Sequence, residues 1–108
     1  MNARDIEWSK TEKSVARGAF NNAYRRECEA ITKRLSDMIR DIASPEDIWH
    51  LHDFLSEKRV EIDEKYDYRY SVLIFVFARL MKEGWLKESD LDGLHEEKVS
   101  KIIAWANM

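Results

Sequence analysis

Glycine and proline are scarce in this sequence, with three glycines and Pro45 as the one proline among 108 residues. Turn chemistry for a multi-stranded sheet is therefore missing, and the composition suits long helices. Cysteine is represented by Cys28 alone, which excludes an internal disulfide and favours a reducing cytoplasm. Long apolar runs are missing too. The longest, Val72 to Ala78, is seven residues, against the roughly 20 that a spanning helix needs, so a soluble protein is predicted. The start at Met1 lacks the basic-then-apolar pattern of a secretory signal. No excess of cations exists either: 18 basic and 21 acidic residues are interspersed and leave a net charge of -3. That balance argues against nucleic-acid binding and against anionic membranes as partners.

What the chain does have is charge at 36% and apolar residues at 44%, in helical rhythm. One domain over residues 1–108 is the expectation for this length. Ser9 with Glu12 reads as a capping box, and nothing from there to Ser44 stops a helix, Gly18 weakening it only modestly. Val15, Ala19, Phe20, Ala23, Tyr24, Ile31, Leu35, Met38, Ile39 and Ile42 recur at spacings of three and four, which predicts one amphipathic helix over about 9–43. Ser44-Pro45-Glu46-Asp47 is a strong start signal for a second helix, running to about Asp63. A third is expected from about Lys65 to Glu83, ended by Gly84. Val72 to Phe77 has the local propensity of a buried strand, but it continues without a breaker into Ala78-Arg79-Leu80-Met81-Lys82, which favours helix. A turn near Ser89 to Gly93 and a last helix from about Leu94 to Ala106, with Val99, Ile102, Ile103 and Trp105 inward, complete a compact helical head over about 45–106. The fold class is all-α. A first helix about 45 Å long outruns a compact domain of this size, whose radius of gyration is about 13 Å. Its far apolar stripe needs a cover, and a second copy in an antiparallel, two-fold homodimer supplies one.

Helix two carries the functional constellation. At 100° per residue Ile48, Leu51, Leu55 and Ile62 share one face with the Lys58 stem, an ordinary core stripe. Another face gathers Trp49, His52, Asp53, Ser56 and Val60, with Arg59 at its margin. Tryptophan and arginine beside an acidic group are the composition of a protein-binding hot spot. The same residues also fit a salt-bridged face, with Arg59 pairing Asp63, Asp53 pairing a lysine and Trp49 covered by a second copy. Spacing leaves both open. His50, His52 and Asp53 do not form a metal site, because residues two apart on a helix diverge and no further ligand completes a zinc set. Nothing near Cys28 in sequence activates it as a nucleophile.

The string from Trp49 to Arg69 (WHLHDFLSEKRVEIDEKYDYR) and its continuation Ser71 to Leu80 with Glu83-Gly84 resemble the signature stretch of the fluorescence recovery proteins of cyanobacteria. Weaker similarity runs through Trp8-Ser9, Ala19-Phe20, Ala23 to Glu27, and Lys98, Ser100, Lys101 and Ile102. The resemblance implies an all-helical dimer without cofactor or metal. Such a dimer binds photoactivated orange carotenoid protein, expected through that protein's C-terminal domain. It speeds the return from the red to the orange form and so relieves quenching of the phycobilisome. The resemblance implies a patch at Trp49, His52, Asp53 and Arg59, and a second contact region at Phe75 and Lys101. It places the protein in the cytoplasm or peripherally at the thylakoid surface.

Two other classes compete. A relative with the same helical dimer could serve as an adaptor for a different protein. An enzyme of the chorismate mutase sort would need an inward row of cations on the first helix. Arg34 and Arg40 are six apart and Lys33 adjoins Ile31, so no such row emerges.

Overall fold

The computed structural model describes residues 7–108; residues 1–6, on which the reading of the N-terminus rests, lie outside the described residues. Four α-helices make up the described residues: α1 (Lys10–Arg40), α2 (Pro45–Lys65), α3 (Leu73–Lys82) and α4 (Glu96–Ala106), with a 3-10 turn at Glu88–Leu91 before α4. The capping box forms as predicted, the Ser9 hydroxyl accepting from the Glu12 amide at 3.1 Å and the Ser9 amide donating to Glu12 Oε1 at 3.1 Å. After α1 the chain reverses through Asp41 to Ser44. There Asp47 reaches back to accept from the amides of Ala43 and Ser44 at 2.8 and 3.0 Å, satisfying donors that the start of α2 leaves free.

The molecule has two parts. In the head, the first half of α1 presents Ala16, Ala19 and Ala23, small side chains that let Leu73, Phe77 and Leu80 of α3 and Ile102 of α4 pack close. Leu86, Leu91 and Leu94 close the core from the connection between α3 and α4. The second half of α1 and most of α2 form an arm. No residue of α1 beyond Glu27 is buried, and none of α2 before Lys65. The extents are 56 × 26 × 24 Å and the radius of gyration 16.9 Å, well above the ~13 Å of a compact chain this long.

Three expectations are corrected. Helix three does not begin near Lys65. Tyr66 leaves the helical region at φ -92°, ψ 77°, in a tight turn where the Asp67 amide donates to the Lys65 carbonyl at 3.2 Å, and residues 66–69 belong to no helix before a turn at Tyr70 to Val72. Out of the helix, Tyr66 and Tyr68 both stand at right angles to Phe20 (centroids 5.3 and 4.9 Å) and Tyr70 packs on Trp8 (5.6 Å). Helical geometry would fan these rings apart and forfeit the contacts. Second, the buried row of α4 is Lys98, Ile102 and Ala106, so Val99 and Ile103 are half-buried and Trp105 turns outward, 48% exposed. Lys98 is drawn in by Glu12, whose carboxylate oxygens lie 3.0 and 3.1 Å from its ammonium. Third, the expected core stripe of α2 holds only in part: Leu51, Ile62 and the Lys58 stem are half-buried, but Ile48 and Leu55 are exposed. Leu51, Phe54, Lys58, Glu61 and Lys65, at spacings of three and four, are the residues turned inward.

Gly84, at φ +88°, ends α3 as predicted: the Trp85 and Leu86 amides donate back to the Leu80 carbonyl at 2.9 and 3.2 Å. Gly93 is more constrained. Its φ is +104°, and a Cβ there would lie 2.8 Å from Val15 Cγ2. Gly93→Ala therefore combines a left-handed backbone with a clash against α1 and is expected to cost about 2 kcal/mol. A thermal melt should show a midpoint lower by roughly 10 °C.

Candidate functional site

The outer faces of α2 hold Trp49, His52, Asp53 and Arg59, all exposed. Trp49 is 60% exposed with no ring against it among the described residues. His52 Nδ1 lies 3.4 Å from Asp53 Oδ1, so Asp53 pairs with its neighbour rather than with a lysine. Arg59 does pair with Asp63, Nε to Oδ2 at 3.0 Å. Exposed pairs of this kind contribute only about 0.3–0.5 kcal/mol, so a carboxylate on another protein can take the guanidinium at little cost. Arg59 also borders a cleft of about 400 Å³ between α1 and α2, with Tyr24, Ile62 and Tyr66 in its wall.

Phe75 and Lys101 sit on the head rather than the arm. Phe75 is the exposed member of an otherwise buried stretch, 43% exposed, and stands edge-on to Trp105 at 5.1 Å. Lys101 is exposed on α4. One chain thus carries two separate surfaces, one on the arm and one on the head. Arg34 and Arg40 are both exposed, and Arg40 bonds to Asp37 at 2.9 Å, so these cations line no interior clamp.

Between arm and head lies a cluster the sequence reading did not pick out. The Lys65 ammonium, fully buried, donates to Glu27 Oε2 at 2.6 Å and Glu83 Oε1 at 2.7 Å, with Glu61 Oε1 at 3.7 Å. Tyr66 Oη donates to the other Glu27 oxygen at 2.8 Å, and Arg79 Nε to Glu83 Oε2 at 3.0 Å. Burial alone would push the Lys65 pKa down; the hydrogen bonds and charges of Glu27 and Glu83 outweigh it and hold the group above the ordinary lysine value. Burial likewise raises the Tyr66 phenol, reinforced by its bond to Glu27. Glu27, Glu61 and Glu83 come within 4.8 Å of one another, the reach of a metal site, but the ammonium already occupies their common centre. A signal for Lys65 existed: it continues the three-and-four spacing of Leu51, Phe54, Lys58 and Glu61. A second buried pair ties α4 to α1, where Glu12 accepts from Lys98 and from the His95 amide at 3.0 Å. Arg26 and Asp90 form a third, only partly buried pair, at 2.6 Å.

Residues 8–106 match the family described as photoprotection regulator fluorescence recovery protein. The chain is 43% identical to the fluorescence recovery protein of Synechocystis sp. PCC 6803 over 108 residues, covering all of this chain and 99% of that one. The structure of the Fremyella diplosiphon fluorescence recovery protein superposes with a TM-score of 0.89 at 51% identity, over 94% of this chain and 100% of the other. That of the Synechocystis protein does so with a TM-score of 0.89 at 45% identity, over the same shares. Sequence, helix order and three-dimensional form agree, and the chain belongs to the fluorescence recovery protein family of photoprotection regulators.

Proposed function

We propose that this protein is a non-enzymatic regulator that binds photoactivated orange carotenoid protein, accelerates its reversion from the red to the orange form and thereby relieves phycobilisome quenching. It works as an elongated homodimer, in the cytoplasm or at the thylakoid surface. Trp49, His52, Asp53 and Arg59 on the arm engage the C-terminal domain of the carotenoid protein, and Phe75 and Lys101 on the head make a second contact. The observation that carries this reading is an arm without a core of its own, displaying tryptophan, histidine, aspartate and arginine to solvent. These are the groups that give a protein interface its anchors and register.

Acceleration needs no bond chemistry. A binder that grips the barrier-like, compact arrangement of its partner more tightly than the open red state lowers the barrier between them by that difference. Each tenfold of differential affinity is about 1.4 kcal/mol of barrier. Asp53→Leu removes the carboxylate from an exposed position of α2, where no tertiary contact depends on it. It is expected to slow the assisted recovery about tenfold or more while circular dichroism and dimer mass stay unchanged. Recovery at the unaltered rate would remove Asp53 from the patch.

A further inference from the structure

Lys65 is the one buried residue of α2. Helices are ordinarily seated by apolar side chains, yet this one has its deepest anchor in an ammonium shared by Glu27 of α1 and by Glu83 just past the end of α3. Apolar packing of α2 on α1 is thin. An open cavity of about 270 Å³ lies between the two helices, lined by Glu27, Ala30, Ile31 and Arg34 of α1 and by Phe54 and Lys58 of α2, with Trp85. The remaining inward apolar residues of α2, Leu51, Phe54 and Ile62, are only half-buried. Contacts of that kind tolerate a slide or a roll of one helix along another. Short, directional N–H···O bonds to two helices at once do not.

We propose that Lys65 is a positioning residue that pins the register of α2 along α1 and against α3, and so fixes the spacing between the arm patch around Trp49 and Arg59 and the head surface around Phe75. The inference rests on the reading above that both surfaces meet one partner. Two contacts on a rigid frame reinforce each other through effective concentration, and the benefit falls when the frame loosens. Arg59 lies six residues before Lys65 on the same helix and Phe75 two residues into α3, which Glu83 follows directly, so the pin sits between the two surfaces in the chain. Tyr66 extends the network toward the Arg59 cleft, since it bonds to Glu27 and also walls that cleft.

Lys65→Met alone strands Glu27 in the interior and can unfold the chain. The informative variant is Lys65→Met combined with Glu27→Gln, which removes one charge of each sign and keeps an acceptor for Tyr66. Spin labels at Glu57→Cys on α2 and Ser100→Cys on α4, in a Cys28→Ser background diluted with unlabelled chains, report the distance across the frame. The double variant is expected to retain its helicity and dimer mass, to widen the distance distribution about twofold, and to lose about tenfold in assisted recovery. A distribution as narrow as that of the parent chain would overturn the pinning role whatever the recovery rate. A widened distribution with undiminished recovery would overturn its link to function. If the parent chain gives no assisted recovery, the proposed function fails, and the distance measurement still decides whether Lys65 sets the register.

Discussion

Ile48→Glu together with Leu55→Glu is expected to turn a particle of twice the 12.9 kDa chain mass into a single chain in light scattering at micromolar concentration. Both residues lie on the outer side of α2, Ile48 at 50% and Leu55 at 39% exposure, in a row left open among the described residues. Ile39 and Ile42 near the end of α1 are exposed as well. An arm with this much apolar surface on its outside is not a stable free-standing element in water, and a two-fold mate is the simplest cover. Symmetry doubles each change, so four apolar side chains become carboxylates. Fully burying an isoleucine or leucine is worth about 1.5–3 kcal/mol; Ile48 and Leu55 are already about half covered within the chain, so the total loss is about 3–6 kcal/mol, or roughly two to four decades in the dimer's dissociation constant. The head core lies elsewhere, so helicity should persist. An undiminished mass would show that the arm is not the interface.

The second large effect concerns acid. Glu12 is buried, which by itself raises a carboxyl pKa, but bonds from the His95 and Ser9 amides and from the Lys98 ammonium reverse this and take it down to about 2. A carboxylate with a folded pKa below its unfolded value of 4.5 contributes stability that is fully present above 4.5 and is lost as pH falls toward 2. The contribution at neutral pH is up to about 3 kcal/mol. Burial raises Glu83 and Asp90 in the same way, and bonds from Lys65 and from Arg26 overcome it, so both sit below their ordinary values and push in the same direction. The fold is therefore expected to weaken steeply between pH 4.5 and 2. Lys98→Met should be more damaging at neutral pH, by about 3–5 kcal/mol, because it leaves the Glu12 charge buried beside an apolar side chain. Urea titrations at pH 7 and pH 3.5 measure both. A Lys98→Met chain as stable as its parent at pH 7 would mean that the pair contributes nothing.

Much of the architecture was legible because it is written in local chemistry. Ser9 with Glu12, Ser44 with Pro45, and Gly84 each mark a helix boundary that depends on a few neighbouring atoms. The far end of α1 was legible by length, since about 46 Å of helix cannot be covered by a chain of this size. What failed depended on contacts distant in sequence. Tyr66, Tyr68 and Tyr70 alternate with Asp67 and Arg69, the period of an extended segment, but lie next to a helix-compatible run. Their place outside any helix goes with packing on Phe20 and Trp8, more than 40 residues away. The same holds for α4, where Lys98 rotates the helix by one position because Glu12, 86 residues earlier, offers a partner. Lys65 and its three glutamates were invisible as a group: each looks like a solvated charge, and only the meeting of α1, α2 and α3 makes them one network. The exposure of Trp49, His52, Asp53 and Arg59 was legible because α2 is regular over its length, but the same 100° steps put Ile48 and Leu55 inside, where the structure leaves them exposed. That of Phe75 was not legible, since an apolar run in a short helix gives no clue to which side faces water.

The most direct test of the account is the dark decay of photoactivated orange carotenoid protein followed by absorbance, with this protein present at substoichiometric amounts. Faster return to the orange form, with the acceleration reduced in the Asp53→Leu chain, is the result the account predicts. An unchanged decay in the presence of a folded dimer would contradict it, and would mean that the same helical frame serves a different protein partner.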